Sequence, residues 1–307
     1  MRIAIMGAGA VGGWFGARLA GAGHDVTFIA RGAHLKALQS KGLTLVDDQG
    51  SRCLSPVTAT DDPATVDPVD LIVFSVKLYD TAEAALAMEP MIGPETVVLS
   101  LQNGVESAAM IRRTLKNCTV LSGAVYLVAS LEAPGRIRKR GTIESLQFGA
   151  DTGAGRRRVK AIEAALSGAG TDTRPEDDPA LMLWRKFIML AATSALTAVT
   201  RQPMGVVRAD PVMRATMIRA IDEAIAVARA EGVALDGDIA ARTLTAIDQV
   251  MGADAKASQL VDLENGKPLE LEWLSGAIHR LGAAHGIDTP VHSTTYAALR
   301  PFAHGRR

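Results

Sequence analysis

The sequence predicts an α/β N-terminal domain built on a parallel sheet, followed by an all-α C-terminal domain. Three observations carry this. In the first half, short apolar runs alternate with helical stretches. A glycine-rich turn directly follows the first of those runs. In the second half the helical patterns lengthen and strand signals nearly vanish. Alternating strands and helices imply parallel strand neighbours with helices on both faces, because each strand must return through a crossover.

The elements follow in order. Arg2–Met6 is a short apolar strand, and a helical stretch covers 10–22 after the glycine turn. Residues 25–30 (DVTFIA) read as a strand, and 33–41 as a helix closed by Gly42. Two short strand candidates within 43–59 flank a turn at 47–50. The continuous apolar runs at 71–76 (LIVFSV) and 97–101 read as buried strands, with a helix over 81–88 between them. Residues 119–128 and 141–148 are later strands, separated by the turn signal Pro134-Gly135. A stretch rich in Asp and Pro at 171–179 ends the alternation. Helices are then expected over 180–201, 210–231, 236–251, 265–285 and 290–303, punctuated by Gly232, Gly286 and Pro290. The expected domains are 1–172 and 173–307, with no internal repeat or low-complexity segment.

Composition narrows the function. Of 307 residues, 48% are apolar, enough for a sizeable core in each domain. Lys plus Arg equals Asp plus Glu, 33 against 33, so no net field draws nucleic acid or an anionic membrane. The basic cluster Arg156-Arg157-Arg158 with Lys160 reads as a solvated helix start. Cys53 and Cys118 stand far apart and suggest neither a disulfide framework nor a metal site, which fits a reducing, cytoplasmic setting. Arg2 and the apolar run after it imitate a signal peptide, but Gly7, Gly9, Gly12, Gly13, Gly16 and Arg18 interrupt the run. No uninterrupted apolar run reaches the ~18 residues of a membrane span. The expected partner is a small molecule, with neither nucleic acid nor membrane involved. A homodimer is compatible with the sequence, which does not fix the oligomeric state.

Gly7-Ala8-Gly9-Ala10-Val11-Gly12 is a G-x-G-x-x-G sequence. The pattern alone is weak. Here it follows a strand and opens a helix, the context expected of a Rossmann-type dinucleotide turn. The first glycine makes the turn, the second admits the pyrophosphate, and the third lets helix and strand pack closely. The phosphates then meet the free N–H groups at the helix start. The next strand ends at Ala30, and Arg31 follows where an acidic residue would otherwise hold the ribose of NAD. A guanidinium there suits the 2′-phosphate of NADP, so the expected cofactor is NADPH.

Two later strand ends carry polar residues to the sheet edge where open α/β folds bind ligands: Ser75-Val76-Lys77 and Gln102-Asn103-Gly104. Either could be an ordinary turn or a solvated lysine. In the helical half, Trp184-Arg185-Lys186-Phe187 precedes an apolar stretch, leaving Lys186 little polar company. A desolvated lysine has a lowered pKa and can act as an acid near neutrality, although a snorkelling surface lysine would read the same way. Ser258 stands at a helix start, and Glu270 lies among charged residues that could equally be helix-dipole partners.

Together these residues resemble the ketopantoate reductase (2-dehydropantoate 2-reductase) family. The match runs in order along nearly the whole chain: Gly7, Gly9 and Gly12, Arg31, Ser75-Val76-Lys77, Gln102-Asn103-Gly104, Trp184 with Lys186, Ser258 with Asp262, and Glu270 followed by Gly276. The resemblance implies NADPH-dependent reduction of a 2-oxo acid, in the family 2-dehydropantoate to pantoate in pantothenate biosynthesis. It implies Lys186 as general acid, Glu270 as its partner, and Ser258 as a ligand of the substrate carboxylate. Lys77 and Asn103 would lie near the nicotinamide and the reacting carbonyl. The family usually has asparagines four and eight residues after the lysine, where this chain has Leu190 and Ser194. Lys186, Leu190 and Ser194 share one helix face, so residues 190 and 194 are expected to shape substrate choice. Two other readings are a non-catalytic NADPH sensor and a dehydrogenase of 3-hydroxy acids or opines. The sensor would need neither Lys186 nor Glu270. The dehydrogenase would use a Lys-x-x-x-Asn pair, which Leu190 breaks, or a catalytic histidine, whereas His279, His285 and His292 look like surface helix positions.

Overall fold

The apolar run Arg2–Met6 forms β1, with four of its five residues buried. The computed structural model describes residues 1–116 and 118–306. After β1 come α1 (Ala10–Gly21), β2 (Asp25–Ile29), α2 (Gly32–Lys41), β3 (Leu43–Asp47), β4 (Gly50–Leu54) and β5 (Thr58–Thr60). Then follow β6 (Val69–Phe74), α3 (Thr81–Ala87), β7 (Ile92–Ser100), α4 (Ser107–Thr114), β8 (Thr119–Ala133), β9 (Arg136–Gly149), α5 (Gly153–Gly168) and β10 (Asp172–Pro175). The strand order is β4-β3-β9-β8-β7-β6-β1-β2-β5, with β10 on β9.

Successive strand residues point to opposite faces. Ile3, Ile5, Leu71 and Val73 enter one core with Trp14, Phe15 and Phe28, while Ala4, Met6, Ile72 and Phe74 enter another with Met88 and Ile111. Burial on both faces explains why β1, β6 and β7 read as continuous apolar runs. At β1 the strand order reverses, since β2 lies on one side and β6 on the other, both parallel to it. Ligands of open α/β sheets bind beyond the strand ends at such a reversal.

The sheet is mostly parallel, with two antiparallel exceptions, β3 with β4 and β8 with β9. The second is a long hairpin turning at Pro134-Gly135, where Gly135 has φ +74. It extends past the expected strands 119–128 and 141–148 because residues 129–133 pair with 136–139 of the neighbouring strand, mostly outside the core apart from Ile137. Such a segment is held mainly by backbone pairing to its neighbour. Likewise β10 pairs in parallel with β9, from Asp172 against Ser145 to Pro175 against Phe148, so the sheet continues beyond residue 172. By contacts the chain divides into Met1–Met182 and the part from Leu183 onward.

That second part is helical: α6 (Pro179–Thr200, which begins before the division), α7 (Met204–Ala209), α8 (Pro211–Ala230), α9 (Ile239–Val250), α10 (Ser258–Glu264), α11 (Ser275–Ala284) and α12 (Pro290–Leu299). By length and composition α6 could cross a membrane, but 72% of its most apolar 18-residue window is buried. The helix expected over 265–285 starts only at Ser275, after a loop and a short turn at Leu271–Trp273. Gly266 takes φ +64, its N–H bonds the Leu263 carbonyl at 3.2 Å, and the Lys267 N–H bonds the Asp262 carbonyl at 2.9 Å. This left-handed closure ends α10, and Pro268 has no N–H with which to resume a helix. The loop that follows carries Glu270. It is braced by the Leu269 N–H donating to the Ala303 carbonyl at 2.9 Å and the Arg306 N–H donating to the Gly266 carbonyl at 3.0 Å.

Candidate active site

In the first unit the expected cofactor residues lie at the strand-order reversal. Gly7 leaves β1 with φ +94, a conformation a side chain disfavours, and a Cβ there would stand 2.8 Å from the Val76 nitrogen. A Cβ on Gly12 would stand 2.1 Å from Ser75 Oγ and 2.4 Å from the Gly7 oxygen, so only glycine lets α1 start against β6. Around Gly9, by contrast, a Cβ would meet no atom within 4 Å. The turn is therefore packed tightly on its inner side and open beside Gly9, the arrangement a pyrophosphate needs. Ala10, Val11 and Gly12 form the first turn of α1, whose N–H groups have no partner within the helix.

Ser75, at the end of β6, donates from Oγ to the Gly7 carbonyl at 2.8 Å, and its N–H donates to the Met6 carbonyl at 2.9 Å. Gln102 is buried, and its Nε2 donates to the Val76 carbonyl at 3.0 Å and to Thr81 Oγ1 at 2.8 Å. These bonds fix the loops that carry Lys77 and Asn103, both half-buried at neighbouring strand ends. Arg31, the N-cap residue of α2 just past the end of β2, extends into solvent, where its guanidinium pairs with Glu83 at 3.0 Å. Both side chains are more than 60% exposed, so the pair is worth only about 0–1 kcal/mol and yields readily to a stronger anion.

In the second unit Lys186 lies on α6. Burial pushes its pKa down to about 8, and the Glu270 carboxylate pulls against that fall. Glu270 is 7% exposed, in the braced loop ahead of the short turn Leu271–Trp273. Leu190 and Ser194 follow Lys186 at intervals of four along α6. Leu190 is half-buried, while Ser194 is fully buried with its hydroxyl unpaired. Ser258 opens α10 with an exposed side chain. Its neighbour Gln259, which the sequence reading passed over, is 2% exposed with neither carboxamide atom hydrogen-bonded. Burying such groups unpaired costs about 1–3 kcal/mol each. One expectation is corrected: His292 is no surface position but fully buried, with Nδ1 3.2 Å from Ser275 Oγ and Nε2 3.0 Å from the Ala220 carbonyl. Among the described residues no cluster of His, Cys, Asp and Glu could hold a metal ion, and both cysteines are free thiols.

Comparison with other proteins bears on the assignment. The family model described as ketopantoate reductase PanE/ApbA matches residues 3–153, and the model of that family's C-terminal part matches residues 179–303. This chain belongs to the ketopantoate reductase family. It is 32% identical over 301 residues to a 2-dehydropantoate 2-reductase of Halobacterium salinarum, a match covering 98% of each chain. The crystal structure of a PanE/ApbA family ketopantoate reductase from Ralstonia eutropha JMP134 is 37% identical, with TM-score 0.90 over 99% of this chain and 98% of that one. The ternary structure of D-mandelate dehydrogenase with NADH and anilino(oxo)acetate shares the fold at 23% identity, with TM-score 0.91 over 99% of this chain and 98% of that one. The chain is thus an oxidoreductase-family protein.

Proposed function

We propose that this protein reduces a 2-oxo acid to the 2-hydroxy acid with NADPH. The observation that carries the reading is Lys186, a lysine drawn by burial to a pKa of about 8 while a buried carboxylate, Glu270, opposes the shift. Such a lysine is still largely protonated at pH 7 and gives up its proton more easily than an ordinary one, as a general acid requires.

The glycine turn fits a dinucleotide, since it leaves open space beside Gly9 and presents the first-turn N–H groups of α1. Those groups would hold the pyrophosphate, and Arg31, free to leave its exposed partner Glu83, would hold the 2′-phosphate. The chemistry a bound nicotinamide supplies is hydride delivery to the carbonyl carbon. Lys186 hands its proton to the carbonyl oxygen as negative charge builds there. Glu270 stabilises the ammonium form before transfer, Ser258 binds the substrate carboxylate, and Lys77 and Asn103 orient the nicotinamide and carbonyl. This chemistry suits a cytoplasmic enzyme acting on a small soluble acid.

2-Dehydropantoate is one candidate substrate. Leu190 favours a second, a 2-oxo acid with a plain apolar side chain, because leucine offers no partner to a substrate hydroxyl. The experiment is a turnover screen of branched 2-oxo acids, 2-dehydropantoate included, with NADPH and with NADH. Nicotinamide oxidation and the 2-hydroxy product would be followed together. Cofactor binding without turnover of any 2-oxo acid would instead favour the sensor reading.

A further inference from the structure

His34, in the first turn of α2, makes two bonds that determine its tautomer. The Gly135 N–H donates to Nδ1 at 2.9 Å, so that nitrogen carries a lone pair. The proton therefore sits on Nε2, which donates to the Ala8 carbonyl at 2.7 Å. The ring thus spans from the tip of the β8–β9 hairpin to the middle of the glycine turn. It is half-buried, and burial favours its neutral form.

The rest of the turn shows what this bond decides. The Gly7–Ala8 peptide is held at both ends, its carbonyl by Ser75 Oγ at 2.8 Å and its N–H by the Ile29 carbonyl at 3.0 Å. The next peptide, Ala8–Gly9, is held at its carbonyl by His34. In a trans peptide the carbonyl and the N–H point in opposite directions. Fixing the Ala8 carbonyl on His34 therefore turns the Gly9 N–H away from the imidazole. With glycine on one side, this peptide plane meets little steric resistance to rotation, so an external hold is what sets it.

We propose that His34 is a positioning residue for the dinucleotide: through the Ala8 carbonyl it aims the Gly9 N–H at the pyrophosphate. The proposal rests on the reading of the glycine turn as a cofactor site. It concerns the phosphates common to both nicotinamide cofactors, whereas Arg31 concerns only the 2′-phosphate.

The test measures NADPH and NADH affinity by calorimetry in the full-length wild type and in His34→Leu, His34→Gln and His34→Asn, with thermal unfolding followed in parallel. Glutamine can place an N–H near Nε2, and asparagine can place its carboxamide near Nδ1. His34→Leu is expected to weaken both cofactors about tenfold, the effect of one hydrogen bond, with their ratio unchanged. The KM for cofactor rises accordingly, and kcat falls much less. His34→Gln recovers most of the affinity and His34→Asn does not, even where the two variants unfold at similar temperatures. Undiminished affinity in His34→Leu, or rescue by asparagine rather than glutamine, overturns the proposal alone. A wild type that binds neither cofactor overturns the cofactor reading and this proposal with it.

Discussion

Glu270 works against burial at Lys186: the carboxylate raises the lysine's pKa, desolvation lowers it, and the balance falls at about 8. The acid form is the one needed, so kcat/KM for the reduction is expected to decline as pH rises through about 8. Glu270→Gln removes the opposing charge, which lets the pKa fall further and moves the alkaline limb to lower pH. Lys186→Ala should lower turnover by roughly 10²–10⁴ with little change in NADPH affinity. A pH–rate profile of the three proteins checks both points, and a Glu270→Gln limb that stays in place would separate the two residues.

Arg31 should set cofactor preference. Arg31→Ala is expected to weaken NADPH roughly tenfold to a hundredfold, the effect of one charge-assisted contact, and to leave NADH nearly unchanged. Direct titration of both cofactors measures this. Equal affinity for NADPH and NADH in the unmodified protein would refute the assignment.

Substrate choice should turn on Leu190. A substrate hydroxyl facing this side chain would be left unpaired at a cost of about 1–3 kcal/mol. Acids with plain apolar side chains should then react at least as well as 2-dehydropantoate. Leu190→Asn, alone or with Ser194→Asn, should shift the preference toward 2-dehydropantoate. The quantity to measure is the ratio of kcat/KM for 2-dehydropantoate over 2-oxoisovalerate. A wild-type ratio far above one that the substitution leaves unchanged would show that residue 190 does not read the hydroxyl.

His292 should make stability depend on pH. Burial lowers its pKa from 6.5 to about 4, so between those values the unfolded chain binds a proton that the folded protein refuses. Stability is therefore complete above about pH 6.5 and lost as pH falls toward 4, by about 2 kcal/mol between pH 7 and pH 5. Urea unfolding at both pH values should show this loss in the wild type, and a smaller one in His292→Gln. Equal losses in the two proteins would mean that other groups carry the dependence.

Much of the first unit was legible because its signals are local. A glycine turn between an apolar strand and a helix has few other uses, and strands buried on both faces must be apolar throughout. Lys186 stood out for a similar reason, as a charge in an apolar helix. What escaped was held by distant partners. The outer half of the β8–β9 hairpin lies mostly outside the core and depends on its neighbouring strand, and the left-handed closure at Gly266 with Pro268 put a loop where a helix from 265 was expected.

The sequence by itself determined the alternating layout of the first half, the dinucleotide-type turn and the identity of the chemical groups. Those follow from periodicity, backbone freedom at glycine and side-chain chemistry, all of which act over a few residues. Only the tertiary structure decided that Ser75, Ile29 and His34 clamp one turn from three separate elements. It alone decided that Glu270 tempers the pKa of Lys186, that Gln259 is buried unpaired, and that His292 is core. Hydrogen bonds and desolvation depend on distance in space, and residues 68 or 84 positions apart carry no mark in the sequence that they will meet.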